Sequence, residues 1–407
     1  MLAPALWDAL NLSFEYGEPD KWVASHSLEG ISGAIDAWIP RAKARPLHLA
    51  LNGMWEVKEE EHLRPLLRSL EAFAPRVKEL NLGLLDIPEF TRLQTVKPVF
   101  SALVELSLSL DHDDELFDDD IALGFFHDAP CLRKVHLFEF PFDAVALPYE
   151  KIEEFGSYRR PAIECLHALT HLPNLIHCHL TPTLHDFPRA NLITVTHPRI
   201  QHLALMEDQV ELEGLEDELD EFEWPIHMIN LLTLPALESL KINSTSFCDF
   251  SSQDLYQFLN APSLRFGNSF SPTQPWASDA QDIDSLDAFL LLTRLEELEI
   301  HNPSQDWVAL LAAKFADDSD GNFLPQLQTL TIYSGTKTPV EFVETVRKLG
   351  AALLVRHRAL RSLRIVATRI AFTNMPCRDM ADAILPLFEL KERRVDVHAG
   401  TADVSAI

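Results

Sequence analysis

Positive charge is scarce in this chain. Its 34 lysines and arginines are outnumbered by 62 aspartates and glutamates, which leaves a formal net charge of -28 at pH 7. A surface with this excess repels phosphate groups, so nucleic acid and anionic membranes are disfavoured as ligands. The same excess attracts basic segments of other proteins and speeds their encounter. The expected partner is therefore a protein of basic character, and neither nucleic acid nor a membrane is expected.

Cysteine and long apolar runs are also scarce. The five cysteines are an odd number and include no CxxC pair, which fits reduced core thiols better than a disulfide framework. No stretch approaches the roughly 18 uninterrupted apolar residues of a membrane span, and segment 1–17 lacks the basic and apolar regions of a signal peptide. A monomer in the cytoplasm or nucleus is expected.

Motifs of catalysis and cofactor binding are missing as well. The sequence contains no GxSxG, no GxGxxG after a strand, no GxxxxGK[ST] and no HExxH. We therefore expect no cofactor and no enzyme activity. Because a catalytic group can assemble from residues far apart in sequence, a metal-dependent hydrolase stays open as a remote alternative.

What the chain does have is a short apolar pattern that recurs along its length. An apolar anchor is followed by two variable residues, a second anchor, one variable residue and a third anchor. The spacing of about 20 to 30 residues between copies is typical of leucine-rich repeats. Clear copies begin at Val77, Leu103, Leu132, Leu175, Ile200, Leu237, Leu295, Leu327 and Leu360, and weaker ones at Trp7, Leu49, Ile152 and Leu264.

Each copy predicts a short strand, because its last two anchors alternate with a polar residue. One such strand cannot bury its apolar face alone, so neighbours must stack. Segments with helical spacing lie between copies, at 63–70, 166–172, 286–290, 307–311 and 342–353. Strand and helix in each repeat predict an α/β fold: an irregular leucine-rich-repeat solenoid, or horseshoe, with a parallel sheet on its concave face and helices on its convex face.

Prolines strengthen this interpretation, since one recurs two residues before the first anchor in many copies. A proline there ends the preceding helix and costs no hydrogen bond of the sheet. We expect a single solenoid over 1–407, with 1–60 as its first repeats and 399–407 as a disordered tail. The prolines are Pro75, Pro130, Pro173, Pro198, Pro235, Pro262 and Pro325.

Several segments resemble the F-box-like leucine-rich-repeat proteins of mushroom-forming fungi. They are LWDALNL (6–12), IDAWIPRAKARPLHLAL (35–51), LPYEKIEEF (147–155), IECLHALTHLPNLIHCHL (163–180) and LPQLQTLTIYSG (324–335). The resemblance implies that the repeats hold the substrate of an SCF-type ubiquitin ligase. In that family an F-box, which docks on the Skp adaptor, precedes the segment matching 3–7, where this chain begins. The Skp adaptor is thus expected only with an upstream F-box, and the alternative is a stand-alone acidic repeat protein that binds or masks basic proteins.

The variable residues between anchors have no core role and form the concave surface where repeat proteins bind partners. The partner-binding candidates on it are Lys134, His136, His177, His179, His202, Lys241, Glu297, Glu299 and Arg364. The same face is expected to include Glu79, Asn81, Glu105, Ser107, Glu154, Ser239, Thr329, Thr331 and Ser362.

Three histidines of this face, His177, His179 and His202, are predicted to lie on neighbouring strands, a spacing that could hold a metal. Zinc sites usually add cysteine or carboxylate ligands, whereas Cys178 is predicted to point into the core. Histidines on a polar sheet face are the favoured interpretation, and no metal is assigned.

Two acidic insertions, DHDDELFDDD (111–120) and EDQVELEGLEDELDEFE (207–223), each begin just after a predicted strand. Both should therefore project from one rim of the horseshoe and attract a basic protein segment. Solvated loops without a binding role are the alternative. The rim candidates are Asp111, Asp113, Asp114, Glu216, Asp217 and Glu218.

Overall fold

The computed structural model describes residues 9–14, 28–53, 71–83, 98–110, 123–183, 193–206, 228–243, 263–267, 293–301, 303, 305–317, 322–334, 339–356, 359–367 and 377–401. The fold is mixed α/β, with parallel strands and helices between some of them. The chain divides into two compact units, Met1–Val195 and Thr196–Ile407. Both units build a sheet in which strands that follow one another in sequence lie side by side.

The described residues of the first unit form seven parallel strands in sequence order. Helix α1 (Leu28–Ala42) connects the first two strands, and α2 (Ala162–His171) the last two. Short 3-10 turns lie at Ala74–Arg76, Gly124–Phe126, Phe142–Ala144 and Tyr149–Lys151. The strands are β1 (Ala9–Phe14), β2 (Leu47–Gly53), β3 (Val77–Gly83), β4 (Glu105–Ser109), β5 (Lys134–Phe138), β6 (Glu154–Pro161) and β7 (His177–Thr183).

The strands that follow run from β8 at the unit boundary to β16 near the C-terminus. They are β8 (Val195–Thr196), β9 (His202–Met206), β10 (Leu232–Thr233), β11 (Ser239–Asn243), β12 (Ser263–Gly267), β13 (Glu297–His301), β14 (Thr329–Ser334), β15 (Ser362–Ala367) and β16 (Asp396–Thr401). In the second unit β9 and β11 to β16 form a parallel sheet in sequence order. Its helices are α3 (Gln305–Asp317), α4 (Pro339–Arg356) and α5 (Cys377–Glu392), and a 3-10 turn spans Met228–Leu231.

The apolar anchors form the core because the parallel register places equivalent anchors side by side. In the first unit Leu80, Leu106, Val135, Phe155 and Cys178 make one buried row across five strands. Burying a leucine or phenylalanine side chain contributes about 1.5 to 3 kcal/mol relative to leaving it exposed. The strand predictions at the anchors described here are confirmed, including the weaker copies at β2, β6 and β12.

The recurring prolines are placed by a turn that leads into the strand. In Leu172-Pro173-Asn174-Leu175 the Leu175 N–H donates to the Leu172 carbonyl at 3.2 Å, so proline is the second residue of a hydrogen-bonded turn. Proline suits that position because its ring fixes φ near the value the turn needs. Matching bonds run from Leu132 to Ala129 and from Leu327 to Leu324.

Helix packing differs between the units. In the first, α2 lies against β6 and β7, and its buried Cys165 Sγ is 3.6 Å from Ser157 Oγ on β6. In the second, α3 packs on α4 and α4 on α5. A Cβ on Gly350 of α4 would stand 3.0 Å from Leu387 of α5, so the glycine permits this close helix pair. No helix in the described ranges is long and apolar enough to span a membrane.

The predicted helices around 166–172, 307–311 and 342–353 are confirmed as α2, α3 and α4, while those at 63–70 and 286–290 lie outside the described residues. Helices α1 and α5 were not predicted; each has a proline inside it, Pro40 and Pro386, which normally argues against a helix. The disordered tail expected from 399 is wrong at its start, because residues 399–401 pair with β15 as part of β16.

Replacing Pro173 by alanine should lower the free energy of unfolding by about 0.4 to 1 kcal/mol, because the unfolded chain gains freedom while the turn keeps its hydrogen bond. The matched control is Pro40→Ala, which should raise stability, since alanine restores an N–H donor inside α1. Urea denaturation of the two variants measures both shifts. A decrease of equal size for both would contradict the turn explanation.

Candidate functional site

The side of the sheet opposite the buried anchors carries mostly polar side chains, and we call it the polar face. In the first unit the register aligns these side chains in rows across the strands. One row contains two carboxylates, a lysine, a third carboxylate and a histidine: Glu79, Glu105, Lys134, Glu154 and His177. The next row contains Asn81, Ser107, His136, Gly156 and His179. All but the buried Gly156 are at least partly solvent-accessible, unlike the anchors between them.

Charged contacts concentrate on β5 and β6. Lys134 Nζ lies 2.9 Å from Glu154 Oε2, and His136 Nε2 lies 3.7 Å from Glu154 Oε1. Glu154 is 21% exposed and His136 16%, so both are screened from water more than Lys134 at 44%. On the same face, His48 Nδ1 of β2 is 2.6 Å from Glu79 Oε2 of β3.

The electrostatics of these groups follow from burial and pairing. The pKa of Glu154 is lowered: burial alone would raise it, but the hydrogen bond from Lys134 and the charges of Lys134, His136 and His179 outweigh that effect. The pKa of Lys134 is raised by the same hydrogen bond and charge pair. Burial lowers the pKa of His136, against the attraction of Glu154. At neutral pH the cluster therefore holds a charged Lys134–Glu154 pair beside a neutral His136.

An aromatic pair lies beside His136 of this cluster. The rings of Phe138 and Tyr158 stack with centroids 4.1 Å apart and planes 5° from parallel. Tyr158 leans back along its strand, and its hydroxyl is 3.5 Å from His136 Nδ1. A Cβ built on Gly156 would stand 2.6 Å from His136 Nδ1 and 2.7 Å from Tyr158 Cε2. The missing side chain at 156 is thus what allows Tyr158 to lean back over Gly156.

Beyond the aromatic pair both strands turn in the same unusual way. Glu139 and Arg159, which follow Phe138 and Tyr158, have φ of 57° and 56°, in the left-handed region that residues other than glycine rarely adopt. Their side chains form an ion pair, with Arg159 Nη1 2.9 Å from Glu139 Oε1. Arg160 in turn makes a bidentate bond to Glu164 of α2. These bonds fix the ends of β5 and β6 beside the aromatic pair.

Of the predicted binding residues, the structure brings Lys134 and His136 together around Glu154. His177 and His179 lie on β7, both half-buried, and His179 is close enough to affect the pKa of Glu154. His202 lies on β9 in the second unit. Among the described residues no three histidine, cysteine or acidic side chains have the arrangement of a metal site.

In the second unit the predicted residues are spread over several strands. Lys241, Glu297 and Arg364 are exposed and Glu299 is half-exposed, on β11, β13 and β15. Thr331 was predicted to face solvent but is buried. It lies in register between Glu299 and Arg364, and a short side chain between two long neighbours is screened from water. The acidic rim candidates Asp111, Asp113, Asp114, Glu216, Asp217 and Glu218 lie outside the described residues.

The aromatic members of the cluster were missed by the sequence analysis. In each repeat one variable residue, His136 or Gly156, stands between the second and third anchors. Phe138 and Tyr158 each follow that residue by two positions, on the same side of the strand. Period-two counting past the third anchor would have placed both on the polar face. Nothing in the sequence showed that Tyr158 leans back over Gly156.

Comparison with known proteins adds no family to this picture. No family model matches the chain, and no curated protein is significantly similar to it in sequence. Its strands and helices define only a class, a mixed α/β protein built on parallel strands. The chemistry of the polar face is therefore the main guide to function.

Replacing Gly156 by alanine should push Tyr158 and His136 away from the sheet, because the new methyl group would overlap both rings. His136 would become more hydrated, and its pKa should rise toward the ordinary histidine value, since burial is the main cause of its lowering. A histidine NMR titration measures this shift. Gly33→Ala is the control, because a Cβ at Gly33 meets no atom within 4 Å; an unshifted pKa in Gly156→Ala would refute the overlap.

Proposed function

We propose that this chain is a leucine-rich-repeat solenoid that acts as a protein-interaction scaffold, with the polar face as its concave binding surface. The observation that carries the proposal is the register: strand after strand places apolar anchors on one side and variable polar side chains on the other. Such a sheet presents a wide row of side chains with no core role, which suits recognition of another protein. The chain itself performs no chemistry in this proposal.

Charge indicates the kind of partner. The first row of the polar face sets the carboxylates of Glu79, Glu105 and Glu154 against the single ammonium of Lys134. The whole chain carries a formal charge of -28. Complementary charge steers a partner to the surface and discriminates against partners of the same sign. A basic protein segment is therefore the ligand proposed for this face.

The resemblance to F-box-like leucine-rich-repeat proteins extends the proposal to a process. On that basis the scaffold is the substrate-recognition part of an SCF-type ubiquitin ligase in the cytoplasm or nucleus, and the Skp adaptor binds through an upstream F-box. A stand-alone acidic protein that masks basic partners is the second candidate, favoured by the charge alone. The two differ in whether the adaptor accompanies the bound partner.

Photo-crosslinking in the source cell tests the binding face. A benzoylphenylalanine at Ser107, on the polar face, should capture basic proteins, whereas one at Thr170, exposed on α2, should not. A captured protein is then purified and its affinity measured by titration calorimetry. Equal capture from both positions would reject the polar face as the binding surface, and recovery of the Skp adaptor with the partner would separate the ligase from the stand-alone protein.

For a purified partner, Glu105→Lys should weaken binding about tenfold and flatten its dependence on salt, because it reverses a charge in the middle of the acidic row. Glu341→Lys is the control, because it makes the same change at an exposed residue that lies on helix α4 and not on a strand. Titrations at two salt concentrations measure both variants. An equal loss in both would mean that net charge, and not this surface, attracts the partner.

A further inference from the structure

Among the residues that the structure describes, the stacked rings on the polar face leave one place open. Phe138 presents one ring face to Tyr158 at 4.1 Å, so its other face points toward β4. The residues of β4 on that side are Ser107 and Ser109, whose small side chains cannot cover a phenylalanine ring. Phe138 is 40% exposed accordingly, an unusual exposure for a residue of this size on a sheet.

Strand spacing explains why flat groups suit this surface. Neighbouring strands lie about 4.8 Å apart, close to the separation of two stacked planar groups. Phe138 and Tyr158, on adjacent strands, use that spacing as a parallel pair. A third flat group above β4 would continue the stack at the same spacing, and no side chain of β4 supplies one.

The charges around this open position select the kind of flat group. Glu105 lies on β4 itself, and Glu79, its register partner on β3, adds a second carboxylate on the side of β4 away from Phe138. An anionic or neutral ring would gain nothing from these carboxylates. A guanidinium is planar, positively charged and weakly hydrated, so it can stack on a ring face and donate to a carboxylate with its edge.

We propose that the β4-facing side of Phe138 is the anchor site for an arginine side chain of the partner protein. The guanidinium lies on the Phe138 ring as the third member of the stack, and its N–H groups donate to the hydroxyls of Ser107 and Ser109, while Glu105 supplies negative charge from the same strand. Tyr158, which leans back over Gly156 because no side chain stands there, fixes the orientation of Phe138. This inference rests on the proposed function and names the residue type that the scaffold recognises.

The test compares two peptide probes of equal charge, fluorescein-labelled octa-arginine and octa-lysine, by fluorescence anisotropy on the full chain. Electrostatic attraction alone would bind both equally. Stacking on Phe138 should make octa-arginine bind about fivefold tighter than octa-lysine. Phe138→Leu keeps apolar bulk but removes the ring face, and it should abolish this preference.

Two further variants isolate the site. Phe388→Leu is the matched control, since Phe388 is similarly exposed, at 46%, but lies on helix α5 and not on a strand; the preference should persist there. Ser109→Phe should fill the open position with a third ring and remove the preference while Phe138 stays in place. Circular dichroism and a thermal melt of each variant show that the fold is intact.

Each outcome has one meaning. A preference for octa-arginine that survives in Phe138→Leu overturns the anchor site, while salt-sensitive binding of both peptides would leave the proposed scaffold standing. Equal loss of octa-lysine and octa-arginine binding in Phe138→Leu would overturn the choice of arginine over any cation. If neither peptide binds the unaltered chain, the anchor and the proposed basic partner both fail.

Discussion

The rest of the structure depends on how each strand is attached to the one before it. At the entry of β5 the N–H groups of Arg133 and Lys134 both donate to the carbonyl of Val104, at 2.9 and 3.0 Å. The same pair of hydrogen bonds to one carbonyl recurs at the start of β6, where the N–H groups of Glu153 and Glu154 both donate to the carbonyl of Arg133. The same pair of hydrogen bonds begins β7, β11, β14 and β15. Because two successive N–H groups of each of these strands share one carbonyl of the strand before it, the register is set where the strand begins.

A fixed register has two consequences on opposite sides of the sheet. On one side equivalent anchors form continuous buried rows, and a slip of one residue would turn them all toward the polar face. On the other side, residues twenty or more positions apart in sequence become direct neighbours. Lys134 reaches Glu154 only because the β5–β6 register brings them side by side.

The polar face of the first unit therefore combines features that arise from separate repeats. Glu105, Lys134 and Glu154 provide charge. Phe138 and Tyr158 provide flat apolar surface. Gly156 leaves the space that the ring of Tyr158 occupies. Each contribution is ordinary for a strand. Their adjacency turns a row of solvated side chains into a surface with a shape and a sign of charge that a basic partner can recognise.

The sequence by itself determined the strands, the parallel α/β class and the entry turns, because anchor spacing and prolines such as Pro173 act locally. It also determined that Lys134 and His136 face away from the core, since alternation in a strand is a local rule. Only the tertiary structure decided that Gly156 lies under Tyr158, that Thr331 is buried and that α1 and α5 are helices despite Pro40 and Pro386. Those features depend on which distant side chains become neighbours. The packing of strands and helices decides those neighbours, and it can override the local preference of each residue.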